Sequence, residues 1–200
     1  MLEAAGEVFA QRGFKAATIQ EISQRANANI AAVNYHFRDK ESLYREVFRY
    51  AMEQSRERYL AYPMDESERR PAQRLKLELR RYLYVMFSRD QAPWQAMMFF
   101  REMIEPSDVF DSLVTDFLAP YQQYIEGLIR EVLGPQTDKR IVRFSAFAAI
   151  SLCGSFHTTR KYIETLYPDE RFVANATDDL ADLITRFVLG GMRALKLPAK

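Results

Sequence analysis

The chain has 200 residues, of which 48% are hydrophobic and 28% charged, and its formal net charge is +1. This balance is that of a globular protein of one or two domains, and it excludes a disordered chain, a collagen-like repeat and a disulfide-rich miniprotein. The single Cys153 can form neither an intramolecular disulfide nor a thiolate zinc site, so we expect a reducing compartment.

The pattern of the chain argues against a membrane partner. The first residues lack the features of a signal peptide. The longest nearly uncharged apolar stretch, residues 144–156, is shorter than the ~18–20 residues that cross a bilayer. We therefore expect a cytoplasmic protein.

Helical periodicity dominates the sequence, and no run alternates as a strand does. Glycine, proline and capping residues divide this pattern into helices over, in chain order, residues 2–13, 18–26, 30–37, 39–62, 71–86, 94–104, 109–133, 138–166 and 178–195. We expect a kink near Pro120 in the seventh helix. About nine helices and no sheet predict an all-α fold, with an N-terminal three-helix domain over residues 1–48 and a larger helical bundle over residues 49–200.

Residues 18–37 have the pattern of a helix-turn-helix. Thr18 with Glu21 three residues later forms a capping box at the start of the first of these two helices. In the break that follows, Asn27 can adopt a left-handed backbone conformation and Asn29 can cap the next helix. A helix, a short turn and a second helix at this spacing are typical of DNA-binding motifs.

The second helix of this motif has the composition of a helix that enters a DNA groove. Val33 and Phe37 are expected to anchor it, which leaves an exposed face made of Ile30, Ala31, Ala32, Asn34, Tyr35 and His36. Asn34 can pair with an adenine edge, and Ile30 or Ala31 can contact a thymine methyl group. Tyr35, His36 and the nearby Lys40 can contact phosphates. From spacing alone, three ordinary packed helices with polar outer faces remain an alternative.

The same residues carry a family resemblance over about the first fifty positions. The N-terminal part resembles TetR/AcrR-type transcriptional regulators at Phe9, Gly13-Phe14, Thr18-Ile19, Ile22-Ser23, Ala26, Val33, Tyr35-His36-Phe37, Lys40-Glu41 and Leu43. The resemblance implies that bases are faced by Ile30, Ala31, Asn34 and Tyr35. It implies that phosphates are faced by Thr18, Ala32, His36 and Lys40. The chain has Asn27 in place of the family's turn glycine, Asn29 in place of the common Ser or Thr, and Asn34 in place of a frequent tyrosine. We include Asn29 among the DNA-binding residues.

The charge of the N-terminal part is balanced. Residues 1–47 hold six basic and six acidic side chains, so this part has no broad electrostatic footprint for a polyanion. We therefore expect DNA binding to depend on few phosphate contacts per subunit and on dimerisation.

A candidate effector site lies in the sixth helix, which is apolar almost all round. Trp94, Met97, Met98 and Arg101 share one face by helical spacing, and with His157 they form the predicted effector-binding set. Such a lining suits an apolar ligand with an anionic or polar end. The alternative is a methionine-rich core in which Arg101 pairs with Glu105. The segment Arg101-Glu102…Pro106 also weakly resembles CecR-type regulators.

Small residues in the last two long helices suggest close helix packing. The resemblance implies that these helices pair with those of a second copy, with Ala149, Gly154, Gly190 and Gly191 as candidate contacts. Packing within one chain is the alternative. Cys153 and His157 lie four residues apart, but no third ligand follows, so a buried cysteine and a hydrogen-bonded histidine are expected rather than a metal or catalytic site.

Together these features favour a homodimeric regulator that binds double-stranded DNA and responds to a small molecule, most often a repressor by family resemblance. We expect no cofactor, no metal and no enzymatic activity. The alternative is a helical small-molecule-binding or chaperone-like protein without sequence-specific DNA binding.

Overall fold

The structure, a computed structural model, describes residues 1–63, 67, 70–88, 92–169 and 177–196. Within these residues every regular element is helical, which confirms the predicted all-α fold. The α-helices are, in order, α1 (Leu2–Ala16), α2 (Ile19–Arg25), α3 (Ile30–Phe37), α4 (Lys40–Ala61), α5 (Pro71–Phe87), α6 (Pro93–Ile104), α7 (Phe110–Leu113), α8 (Ala119–Leu133), α9 (Lys139–Thr158), α10 (Arg160–Leu166) and α11 (Thr177–Lys196).

Two long helices predicted from periodicity are interrupted. Between α7 and α8 the chain forms a π-helical segment, Val114–Leu118, and the N–H of Ala119 bonds to the carbonyl of Val114. Pro120 has no N–H, and its ring clashes with the preceding turn of a regular helix, so a wider turn at this point accommodates it. The predicted helix over 138–166 divides at Thr159, whose hydroxyl bonds to the Ser155 carbonyl at 2.6 Å and competes with the regular backbone ladder.

The chain divides into two compact units. The first unit comprises Met1–Arg58 and the described part of Arg89–Ala119, so it holds α1–α3, most of α4, α6 and α7. Its core includes Phe9, Leu43, Val47, Phe48 and Leu113. Helix α1 packs on both α2 and α6. The predicted boundary after residue 48 concerns a division of function and stays a prediction.

The second unit comprises the described parts of Tyr59–Ser88 and Pro120–Lys200. Its core is built by α5, α8, α9 and α11, whose apolar residues recur at helical spacing, as in Leu75, Leu79 and Leu83 of α5. By length and composition alone, α9 could span a membrane, but it packs on α5 and α11 as a core helix of this unit does.

Candidate nucleic-acid interface

Local hydrogen bonds build the helix-turn-helix that the sequence predicts. The Thr18 hydroxyl accepts the backbone N–H of Glu21 at 3.1 Å, which caps α2. Asn27 has a φ of 49°, in the left-handed region. The Asn29 side chain accepts the N–H of Ala31 at 2.8 Å and so caps α3. Only half of the expected capping box forms, because the Glu21 carboxylate pairs with Arg12 at 3.3 Å.

Helix α3 is attached to its unit by one side and turns the other side outward. Val33 is its buried residue, and Phe37 is half-buried against the same core. The six side chains predicted to face DNA are all exposed: Ile30, Ala31, Ala32, Asn34, Tyr35 and His36. Tyr35 is 84% exposed. A helix this short is not stable alone, so its direction is set by the helices packed behind it.

Lys40 has an intramolecular role that the sequence did not predict. Its Nζ donates to the carbonyls of Lys15 and Ala17, each at 3.2 Å, and lies 4.8 Å from the centroid of the Phe14 ring. The ammonium group therefore binds the C-terminal end of α1, where carbonyls lack helical partners. The expected phosphate contact of Lys40 stays a prediction, and it would use the third N–H donor, since the other two have partners on α1 and Ala17.

The substitution Lys40→Ala distinguishes the structural role of Lys40 at the end of α1 from a direct contact with a DNA phosphate. We expect it to weaken binding to all DNA sequences, because the end of α1 is released, and to lower the melting temperature. The slope of log affinity against log salt should stay near that of the wild type, with Lys15→Ala as the control. Loss of a phosphate contact would instead make the slope shallower by about 0.9.

Two family models match the chain. The model of the bacterial regulatory proteins of the tetR family matches residues 1–47, which contain the helix-turn-helix. The model of the C-terminal domain of the HTH-type transcriptional dual regulator CecR matches residues 71–192, more than half of the chain. The chain belongs to the TetR family. It is a DNA-binding regulator of this family with a CecR-type C-terminal domain, as the resemblance implied.

Solved structures share this fold at low sequence identity. A TetR-like transcriptional regulator from Rhodococcus sp. RHA1 is 18% identical, with a TM-score of 0.66 over 95% of this chain and 93% of that one. FadR from Bacillus subtilis, solved with stearoyl-CoA, is 15% identical, with a TM-score of 0.67 over 95% and 96%. AibR, solved with isovaleryl coenzyme A and operator DNA, is 18% identical, with a TM-score of 0.66 over 94% of each chain. No curated protein sequence matches the chain.

The effector-binding residues predicted for this TetR-family chain are divided between the two units. Trp94, Met98 and Arg101 lie in the first unit, where Trp94 and Arg101 bond to α1 and Met98 is buried in the core. Met97 is half exposed. His157 lies in the second unit, with its ring edge-on to Phe87 at 5.4 Å between centroids. The effector role of these residues stays a prediction, and the contacts of Trp94, Met98 and Arg101 with their own unit were not readable from the sequence, because an apolar helix face does not reveal which helix covers it.

The alternative interpretation of Arg101 holds in part. Its Nε lies 3.4 Å from the Glu105 carboxylate, four residues along α6. The same guanidinium also bonds to two carbonyls of α1, which no sequence pattern indicated.

The small residues predicted for a dimer interface have different surroundings. Ala149 is fully buried in its own unit, so its side chain cannot contact a second copy. A Cβ added to Gly154, Gly190 or Gly191 would meet nothing within 4 Å, so these glycines do not serve close packing between helices of the described chain.

Exposed apolar side chains on α9 and α11 were missed by the sequence reasoning. Phe144 and Phe147 of α9 are 62% and 68% exposed, and Leu183 and Phe187 of α11 are 48% and 72% exposed. The pairs are three and four residues apart, so each pair shares one helix face. The spacing of three and four residues is visible in the sequence, but periodicity alone does not distinguish an exposed apolar helix face from a buried one.

The second unit also holds a buried carboxylate that the sequence did not reveal. Glu78 of α5 is fully buried, and it accepts hydrogen bonds from the hydroxyls of Tyr59 (2.9 Å), Tyr121 (3.0 Å) and Tyr124 (3.5 Å). The Arg81 guanidinium lies over the Tyr59 ring, 3.3 Å from its centroid. Burial raises the pKa of Glu78, and the tyrosine hydrogen bonds oppose that rise.

The raised pKa of Glu78 predicts a pH dependence of stability. Between the ordinary and the raised pKa the folded chain binds the extra proton, so folding becomes more favourable as the pH falls through this window. Relative to Glu78→Gln, the wild type should therefore gain stability from neutral pH toward pH ~5. Urea unfolding at both pH values measures this difference, with the surface variant Glu131→Gln as the control. A difference that is constant or reversed would contradict the assignment.

Cys153 and His157 have the surroundings of core residues. Cys153 is fully buried, as expected, and burial raises the pKa of its thiol to about 12, so it is not a thiolate nucleophile at neutral pH. Burial lowers the pKa of His157, and the nearby Arg160 lowers it further. Among the described residues no group of three or more His, Cys, Asp or Glu side chains is placed to hold a metal ion.

Proposed function

We propose that this chain binds a pseudo-palindromic operator as a homodimer and represses transcription until a small apolar or amphipathic effector releases it. The observation that carries the proposal is the outward face of α3, a helix capped by Asn29 and anchored at Val33. The two copies of α3 would enter successive major grooves of one duplex, about one helical turn apart. The regulator would act in the cytoplasm, where its DNA lies.

Residue roles follow from position on α3 and its surroundings. We assign base contacts to Ile30, Ala31, Asn34 and Tyr35, and backbone contacts to Thr18, Asn29, Ala32 and His36. All of these side chains are exposed, which supports the assignment. Residues 1–48 would read DNA, and residues 49–200 would bind the effector and a second copy.

Homodimerisation is supported by the apolar face of α9 and α11. Exposed aromatic groups such as Phe147 and Phe187 are costly in water, and monomeric proteins seldom present several on two adjacent helices. A second copy of the same face would cover them by two-fold symmetry. Gly190 and Gly191 lie on α11 with open space around them, where a partner helix could approach closely.

The effector class is supported by a pocket in the second unit and by relatives of the same fold. A pocket of about 290 Å³ is lined by Leu133, Leu189, Met192 and Arg193, among others. Its charged groups are the Arg193 guanidinium and the Glu131 carboxylate, which is paired with Arg74. An apolar wall with Arg193 at its side suits an amphipathic molecule with an anionic end. FadR and AibR, which share the fold, are solved with stearoyl-CoA and isovaleryl coenzyme A. By thermodynamic linkage, the effector would lower the affinity for DNA by the same factor by which DNA lowers the affinity for the effector.

The variant Asn34→Ala tests the DNA-reading role. We expect it to weaken binding to an operator obtained by in vitro selection with the wild type by about 5-fold to 100-fold, because one bidentate base contact is lost. Binding to a random duplex should not change, and preference should relax at one base pair per half-site. Gln24→Ala, at an exposed position of α2, is the control. Equal losses on operator and random DNA would contradict base reading, and a wild type that selects no sequence would favour a protein without sequence-specific DNA binding.

A further inference from the structure

Two polar residues at the C-terminal end of α6 contact the helices that carry α3. Arg101 donates from one guanidinium nitrogen to the carbonyls of Ala10 at 3.1 Å and Gln11 at 3.0 Å. These carbonyls lie just before Gly13, where α1 breaks with a φ of 77°. A cation at the carbonyl end of a helix is favourable, because those oxygens lack helical partners.

The approach of Arg101 depends on Gly13. A Cβ at this position would lie 2.8 Å from the Arg101 Nε, so a side chain would displace the guanidinium. The positive φ of Gly13 also disfavours other residues there. The glycine at the end of α1 therefore serves both the break in the helix and the contact with α6.

Glu102 makes the second contact, with α4. Its carboxylate is 1% exposed and accepts the Tyr44 hydroxyl at 2.5 Å, the Ser107 N–H at 2.9 Å and the Ser107 hydroxyl at 2.7 Å. Tyr44 is buried, and its ring lies edge-on to Phe9 and Phe14 of α1. Burial raises the pKa of Tyr44, and the bond to Glu102 raises it further, so the phenol keeps its proton. Breaking one member of such a buried network leaves the others without partners.

The other end of α6 is fixed to the start of α1. The Trp94 Nε1–H donates to the Glu3 carboxylate at 2.7 Å, and the indole ring lies directly against Gly6. Helix α6 thus holds α1 at both ends, and it holds α4 through Tyr44. Helix α3 packs on α2, which packs on α1, and α4 begins three residues after α3 ends, so the direction of α3 depends on where α1 and α4 are held.

We infer that Arg101 and Glu102 are positioning residues for DNA binding, which set the direction of α3 through α1 and α4 without contacting DNA. The inference rests on the proposed function, because it needs α3 to read an operator. It also gives a physical role to the Arg101-Glu102 segment that resembles CecR-type regulators. In this role Arg101 and Glu102 would affect the affinity for the operator more than the affinity for DNA of random sequence.

The test measures the binding of Arg101→Met, Arg101→Lys and Glu102→Gln to the operator selected with the wild type and to a random duplex. We expect Arg101→Met and Glu102→Gln to lower the ratio of operator to random affinity by about tenfold or more, since each breaks charge-assisted hydrogen bonds. Arg101→Lys should recover most of the loss, because an ammonium group can still donate to the α1 carbonyls. Ile104→Ala, at a position that is 79% exposed on the same helix, is the matched control.

Trp94 supplies an independent signal, because it is the single tryptophan of the chain. In Arg101→Met its fluorescence should shift to longer wavelength while circular dichroism still reports a folded helical chain. If Arg101→Met fails to fold, Glu102→Gln carries the test.

Three outcomes would overturn the inference. The first is that Arg101→Met and Glu102→Gln fold but keep the wild-type ratio of affinities. The second is that Ile104→Ala loses as much as they do. In the third, the wild type itself selects no operator, which overturns the proposed function and this inference with it. In the first two outcomes the wild type still binds its operator, so only the inference fails.

Discussion

Replacing Phe147 with glutamate is expected to convert the homodimer into monomers and to weaken operator binding by about a hundredfold or more, since two linked half-site contacts become one. Phe147 is 68% exposed on α9, beside the exposed groups of α11. A carboxylate placed among the apolar side chains of an interface would lose its hydration without gaining a cationic partner, so the cost of burying its charge would add to the lost apolar burial.

Analytical ultracentrifugation measures the change in oligomeric state, and fluorescence anisotropy measures the change in operator affinity. Tyr162→Glu is a close control, because Tyr162 is 67% exposed but lies on α10, outside the proposed interface. If Phe147→Glu remains a dimer with normal operator affinity, α9 is not the dimer interface. If both variants dissociate, the effect is not specific to this face.

The second large effect is expected at Gly6. A Cβ there would lie 2.4–2.6 Å from three atoms of the Trp94 ring, which is too close for any real contact. Gly6→Ala must therefore push α1 away from α6 or displace the indole, at a cost of about 1–3 kcal/mol of stability. We expect operator affinity to fall as well, because α1 carries the motif that contains α3.

Thermal unfolding measures the stability change, at about 2–4 °C for each kcal/mol in a chain of this size. The control is Gly127→Ala, in α8, where an added Cβ meets nothing within 4 Å. Gly127→Ala should stabilise the chain by up to about 1 kcal/mol, because alanine is a better helix former than glycine. A Gly6→Ala variant as stable as Gly127→Ala would contradict the close packing of α1 on α6.

The sequence predicted well those features that depend on neighbouring residues. Thr18 and Asn29 cap their helices, Asn27 adopts the left-handed conformation, and Val33 is buried while Asn34 is exposed. Each of these outcomes follows from a few adjacent side chains and the helical repeat. The same local reasoning gave the fold class, the start of α5 at Pro71 and, within one residue, the start of α6 at Pro93.

Features that depend on distant residues were not predictable in this way. The apolar faces of α6 indicated burial, but nothing in the sequence indicated that α1 would cover them and that Arg101 would bond to its carbonyls. The intramolecular partners of Lys40 and Glu78 were likewise not predicted, because they lie far away in the sequence. Polar side chains make contacts over long sequence separations that periodicity does not encode.

These contacts would couple the packing of α6 to the direction of α3 in the first unit. Gly6, Gly13 and Arg101 fit α1 closely to α6, which leaves little space for a shift at their contacts. A shift of α6 would therefore pass through α1 and α2 to α3, which is held by the buried Val33 and the half-buried Phe37. The reading face would then change direction without any change in the residues that face the bases.

The most direct test of DNA reading by a dimer is a hydroxyl-radical footprint of the wild type on its selected operator, combined with the stoichiometry of the complex. The account predicts two protomers per duplex and two protected regions about one helical turn apart, on one face of the DNA. Uniform protection along the duplex, or a single protected region with one protomer, would contradict it.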